Sequence, residues 1–117
     1  MQTIKLIEVS KSFKSKKALH NINIKFSNDK VCGLLGPNGS GKTTLFNIVA
    51  GFLNPDFGKI LLDNYNLNEK SLSLRTKLGI SYLPQDASIF RDLTVFDNIF
   101  SIAELFHSKN NATNITK

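Results

Sequence analysis

One cysteine, Cys32, stands in 117 residues, so no internal disulfide can form. That fits a reducing compartment, and a place inside an apolar run makes a buried, inert thiol the expectation. No apolar stretch is long enough to span a bilayer, and Met1-Gln2-Thr3-Ile4-Lys5-Leu6 reads as a strand rather than an export signal. The chain is therefore expected to stay in the cytosol. Acidic residues are also few: 9, against 15 lysines and arginines, for a formal net charge of +6. Such an excess can mark a nucleic-acid or anionic-lipid surface, but neither an aromatic platform nor an arginine cluster accompanies it. Lys11, Lys14, Lys16, Lys17 and Lys25 fall in or near an expected hairpin turn. A solvated turn is the reading there, and no nucleic-acid partner is expected. No internal repeat is present. Hydrophobic content of 41% and charged content of 21% are ordinary for one soluble domain.

What the chain does have is a complete phosphate-binding loop, Gly36-Pro37-Asn38-Gly39-Ser40-Gly41-Lys42-Thr43. It follows the apolar run Val31-Cys32-Gly33-Leu34-Leu35 and precedes a helical pattern of Leu45, Phe46, Ile48 and Val49. Strand, glycine-rich turn and helix is the context the Walker A pattern requires. A nucleoside triphosphate carries several negative charges close together, and holding them takes many donors at short range. Backbone N–H groups at a helix start provide these, and the helix dipole adds to the attraction. Gly36, Gly39 and Gly41 allow dihedrals that a Cβ would forbid. Lys42 is placed to reach the β- and γ-phosphates, Thr43 to ligate Mg²⁺, and Thr44 to donate to the α-phosphate. Ala50-Gly51 should end the helix, with glycine as its C-cap.

Alternation marks strands over residues 3–10 and again from Leu19 to Phe26. Residues 11–18 read as the lysine-rich turn. Asn54-Pro55-Asp56-Phe57-Gly58 is a turn by composition, Lys59 to Asp63 a short strand, and residues 69–77 weakly helical. Gly79 to Leu83 reads as another strand, halted by Pro84. Thr94 opens a helix with Asp97 three residues on, a capping-box pair, and Val95, Ile99, Ile102, Leu105 and Phe106 form its apolar face. From Ser108 the chain is polar and should fray.

Tyr82-Leu83-Pro84-Gln85-Asp86 ends the strand expected at 79–83, and in open α/β sheets that end faces the ligand. Gln85 there offers a carbonyl to a metal ion and an amide to water. With Phe13, the loop at 36–44, Gln85, and Leu93-Thr94-Val95 followed by Asn98-Ile99, the chain resembles the ATP-binding-cassette (ABC) transporter ATPases over roughly residues 4–106. The resemblance implies an α/β P-loop NTPase fold, with an antiparallel β subdomain beside a partial parallel core sheet. It implies ATP and Mg²⁺ as ligands. Phe13 would stack on adenine where the family usually has Tyr, and Gln85 would approach Mg²⁺ and sense the membrane subunits. Permease subunits and a second copy of the ATPase are the implied partners, at the cytoplasmic face of the inner membrane. Within the family, Gly79 through Arg91 resembles the group that powers lipopolysaccharide export. Asp86, Ala87 and Arg91 depart from the branched-chain amino-acid importers, which remain the alternative.

The same resemblance shows what is missing. No LSGGQ-type signature, no apolar strand ending Asp-Glu and no switch histidine occurs in the sequence. Ile60-Leu61-Leu62-Asp63 has the look of a Walker B strand, but Asn64 follows where a glutamate base belongs, so it reads as a structural strand. His20 precedes the loop and His107 ends the last helix, so neither fits the switch. Residues 1–117 are thus expected to form the N-terminal part of one nucleotide-binding domain, ending before the signature and Walker B, with 92–117 starting its helical subdomain. Phosphoryl transfer needs a metal and a residue that orients water, so weak binding without hydrolysis is the expectation for these residues alone. A nucleotide-binding module that never hydrolyses stays open beside it. A small P-loop kinase fits less well, because nothing resembles a phosphate-acceptor lid.

Overall fold

A computed structural model of the chain describes residues 1–84 and 91–103. Met1–Ser81 form one unit, and the second begins at Tyr82.

Strand β1 (Thr3–Phe13) and strand β2 (Lys16–Ser27) make a long antiparallel hairpin that reverses at Lys14-Ser15. Both are longer than their alternation suggests. The expected lysine-rich turn at 11–18 is in fact mostly strand, with Phe13 paired to Lys16 and Lys11 to Leu19. Polar side chains hide this in the sequence by patching the irregular stretches of the ladder. The register shifts between Leu6 and Val9 and again between Val9 and Lys11. There the Asn23 side-chain carbonyl accepts the Glu8 N–H at 3.0 Å, and the Ser10 hydroxyl accepts the Asn21 N–H at 2.9 Å. Side-chain oxygens thus satisfy donors that a bulge takes out of the ladder.

Helix α1 (Lys42–Ala50) follows the glycine-rich loop. Strand β3 (Phe57–Leu62) returns beside β1, and the two-residue strand β4 (Tyr65–Asn66) pairs with β3. The sheet order is β2-β1-β3-β4, with every pair antiparallel. Its core joins Leu6, Val9 and Leu19 of the hairpin to Ile60 and Leu62 of β3, Leu67, and Leu45 and Ile48 of α1. Burying these side chains is what holds the P-loop helix on the sheet, at roughly 1.5–3 kcal/mol for each fully buried residue.

Helix α2 (Leu72–Lys77) is short and capped by Ser71, whose hydroxyl accepts the Leu74 N–H at 3.1 Å. Its Arg75 is fully buried. The guanidinium donates to the carbonyls of Ile48 at 2.6 Å, Val49 at 2.9 Å, Leu67 at 2.6 Å and Lys70 at 3.1 Å. Two of these acceptors close the last turn of α1, where a cation also suits the negative end of the helix dipole. Burial pulls the Arg75 pKa down, but arginine remains a cation. Gly51, the C-cap, has φ 103°, and a Cβ there would stand 3.0 Å from Arg75 Cδ and Nε. The expected glycine cap is present, and it also makes room for the arginine.

Two expected strands differ. Residues 31–35 and 79–83 join no ladder among the described residues. Val31 is fully exposed and Leu35 is 95% exposed, with no strand of the described residues beside them. Cys32 is exposed for the same reason, not buried as its apolar neighbours suggested.

In the second unit, helix α3 (Val95–Ala103) begins as expected. The Thr94 hydroxyl accepts the Asp97 N–H at 3.1 Å and donates to Asp97 Oδ2 at 2.8 Å. The Phe96 and Phe100 rings stack along one side, with centroids 5.6 Å apart. Leu105, Phe106 and His107 lie outside the described residues, as does Gln85.

Candidate functional site

The loop at 36–44 lies against the turn end of the hairpin, and the reason is steric. Gly41 precedes α1 with φ 100°, and a Cβ on it would meet the Ala18 carbonyl oxygen at 2.5 Å and Leu19 Cδ2 at 3.0 Å. The glycine therefore serves two ends. It gives the left-handed turn into the helix, and it lets the loop lie directly on β2. Within the loop, the Pro37 carbonyl accepts the Ser40 N–H at 3.2 Å and the Gly41 carbonyl accepts the Leu45 N–H at 2.9 Å. No side chain caps α1 at its N-terminus, and no acidic residue occupies its first turn. The partial positive charge of that helix end is left facing the loop.

The Lys42 ammonium folds back and donates to the carbonyl oxygens of Gly36 and, at 3.1 Å, of Pro37. Both acceptors are neutral dipoles. A phosphate oxygen carrying formal charge is a stronger acceptor for the same ammonium. The arrangement is a cation held in place but readily transferred.

A cavity of about 380 Å³ opens over these groups. That is within the range of roughly 300–1,000 Å³ usual for small-molecule sites. Phe13, Pro37, Asn38, Gly39, Ser40, Gly41, Lys42, Thr43 and Thr44 all line it. Gly36 stands just behind, bonded through its carbonyl to Lys42. The sequence-predicted residues thus converge from two segments, β1 and the continuous stretch 36–44, with Gln85 lying outside the described residues. Lys16 and Ala18 also line the cavity, and neither was singled out from the sequence. Lys16 Nζ comes within 3.7 Å of where a Cβ of Gly39 would be. A short hairpin turn after Phe13 was the available signal, since it sets Phe13 and Lys16 directly opposite each other. Among the described residues, the cavity wall therefore has two ammonium groups and no carboxylate.

Phe13 is 44% exposed at the rim, with Lys11 Nζ 5.6 Å from its ring centroid. An apolar ring face beside a cationic, donor-rich floor suits a ligand with a flat aromatic end and an anionic end. Among the described residues no group of three or more histidine, cysteine or acidic side chains could hold a metal ion. The Thr43 hydroxyl fits Mg²⁺ only as one donor to an ion that takes most of its oxygens from phosphate and water.

A nucleotide-binding cassette is the class of fold this loop, helix and sheet define. The ABC transporter family model matches residues 19–117, and the chain belongs to that family. The lipopolysaccharide export system ATP-binding protein LptB of Haemophilus influenzae is 42% identical over 97 residues, covering 83% of this chain and 40% of that protein. LptB of Escherichia coli K12 is 37% identical over 105 residues, covering 90% and 44%. The chain thus spans less than half the length of these relatives. Among solved structures, MJ1267, an ATP-binding cassette of an ABC transporter, superposes with a TM-score of 0.79 at 30% identity over all of this chain and 47% of its own. The dimeric cassette MJ0796 bound to ADP and Pi gives 0.80 at 25% identity, covering 97% of this chain and 53% of its own.

Proposed function

We propose that this chain is the nucleotide-binding part of an ATPase that drives a membrane transporter. One observation carries the reading: an uncapped α1 N-terminus and the Lys42 ammonium, held only by loop carbonyls, face a cavity that Phe13 borders. In this reading Phe13 stacks on the adenine of ATP. The loop N–H groups from Gly36 to Thr44 and Lys42 take the phosphates. Thr43 gives one oxygen to Mg²⁺, which neutralises phosphate charge when bound. Gln85 would approach the same ion and couple the site to permease subunits. Residues 92–117 would begin the helical subdomain that faces those subunits, at the cytoplasmic face of the inner membrane. Among the described residues no helix is long and apolar enough to cross a membrane itself.

Lipopolysaccharide export is the transport we favour. The Gly79 to Arg91 stretch and the identities with the two LptB proteins support it. Pairing of two copies around ATP is proposed on the same family grounds. A second reading is binding of the nucleotide without hydrolysis. The test is ATP binding by the chain with and without Mg²⁺, compared with Lys42→Ala. The substitution should weaken ATP at least tenfold, as loss of a charge-assisted phosphate contact requires. Equal binding by both proteins refutes the proposal. Steady ATP turnover by this chain that disappears in Lys42→Ala would rule out the second reading.

A further inference from the structure

Phe13 is not held by its own strand alone. Lys11, two residues earlier on the same side of β1, places its ammonium over the ring, 5.6 Å from the centroid. Lys11 is itself held. Its Nζ lies 3.1 Å from Asp56 Oδ1, and its side chain is only 17% exposed. Asp56 is fixed in turn by β1: its Oδ2 accepts the Ser12 N–H at 2.8 Å, and its own N–H donates to the Ser10 carbonyl at 2.9 Å. Asp56 thus grips residues 10, 11 and 12, and the next residue is the ring. This is the one ion pair among the described residues. Phe13 lines the nucleotide cavity and Lys11 does not.

We propose that Asp56 and Lys11 are positioning residues for the base platform, with Lys11 covering the outer face of Phe13 so that the cavity face receives the base. The proposal rests on the reading of Phe13 as that platform. Two physical effects follow. An exposed phenylalanine rotates among rotamers, and a cation over one face favours a single orientation before the base arrives. The ring also gives face density to the ammonium. Its other face then repels the negative face of a stacked purine less. The connection at 54–56, remote in sequence from the hairpin, becomes part of the base site through one carboxylate.

The test separates base from phosphate. Binding of ATP and of inorganic tripolyphosphate is measured for the wild-type chain, Lys11→Met, Lys11→Arg, Asp56→Asn and Phe13→Ala. Lys11→Met keeps the stem and loses the charge. It should weaken ATP about two- to fivefold, the scale of an exposed cation–π contact, and leave tripolyphosphate unchanged. Asp56→Asn should weaken ATP in the same selective way, and Lys11→Arg should restore it. A merely structural contact would lower both ligands together, and that result overturns the proposal. So does unaltered ATP binding by Lys11→Met when Phe13→Ala loses ATP selectively. If Phe13→Ala itself leaves the ratio of the two ligands unchanged, the platform reading fails first and takes the proposal with it.

Discussion

Arg75→Met puts the buried guanidinium to a quantitative test. The substitution keeps an unbranched stem of similar bulk and removes every donor. Four carbonyl oxygens, of Ile48, Val49, Leu67 and Lys70, lose the guanidinium, and that of Leu67 keeps the Lys70 N–H at 3.0 Å. A stranded buried acceptor costs about 1–3 kcal/mol, so a simple sum over the other three would approach about 3–9 kcal/mol. That sum is too large, because water entering the vacated space satisfies some of the carbonyls. Against the loss stands the relief of a desolvated charge, the effect that pulls the Arg75 pKa down. With water reaching part of the site, about 3–5 kcal/mol of the sum remains as the expected destabilisation. Folded domains have only about 5–15 kcal/mol in total, so most of the stability is at stake. Urea unfolding followed by circular dichroism reads it. With an m-value of roughly 1.5 kcal/mol/M, the midpoint should fall by about 2–3 M. Arg75→Lys should recover part of the drop, since an ammonium reaches some of the acceptors. A midpoint for Arg75→Met within about 0.3 M of wild type would refute the reasoning, because water would then replace the guanidinium at no cost.

Three further outcomes are expected. Lys16→Ala should weaken ATP about fivefold and AMP less, because a partly exposed ammonium acts on the distal phosphates; the gap should shrink at high salt, and equal losses for both nucleotides would refute it. The Ser12 N–H and then the Lys11 ammonium hold the Asp56 carboxyl below its usual range. A lowered folded-state pKa means the contribution is complete above the unfolded value of about 3.9 and disappears as pH falls through the folded one. The thermal-stability gap between wild type and Asp56→Asn should therefore be constant from neutral pH to about 5 and close below about 4; a gap that persists in strong acid contradicts the cited contacts. Finally, exposed Val31 and Leu35 should drive the isolated chain to associate. Light scattering should show this, Leu35→Ser should reduce it, and a monodisperse monomer at high concentration would count against an unpaired apolar edge.

What was legible in the sequence was local. The glycine-rich loop, the Gly51 cap and the Thr94–Asp97 box each depend on residues within a few positions of one another, and each stands where expected. What was not legible depended on partners far along the chain. Arg75 sat in a weak helical pattern with no mark of its importance, because its acceptors at Ile48 and Val49 lie more than 25 residues away. The hairpin strands looked short because Asn23 and Ser10 spend polar side chains on bulges, which breaks the alternation. Cys32 was misjudged for a related reason: an apolar run is buried only when neighbours flank it, and composition does not supply them.

The lysines show most clearly where composition misleads. Lys11, Lys16 and Lys17 read together as a solvated turn, yet only Lys14 and Ser15 make the turn. Lys16 lines the cavity over the glycine-rich loop, Lys11 lies between Asp56 and the Phe13 ring, and Lys17 stands 3.2 Å from His20 Nδ1. Strand pairing decides among these roles. Phe13 opposite Lys16 sets an aromatic face beside a cation at the site, while Lys11, two residues back on the same strand, reaches the ring from elsewhere. A one-residue slip of β2 against β1 would turn Lys16 to the other face, away from the loop, and leave Lys11 beside the ring. The side-chain bonds at Glu8 and Asn21 stand where the register shifts, so they help set the pairing that brings Phe13 and Lys16 to one cavity, remote from it as they are.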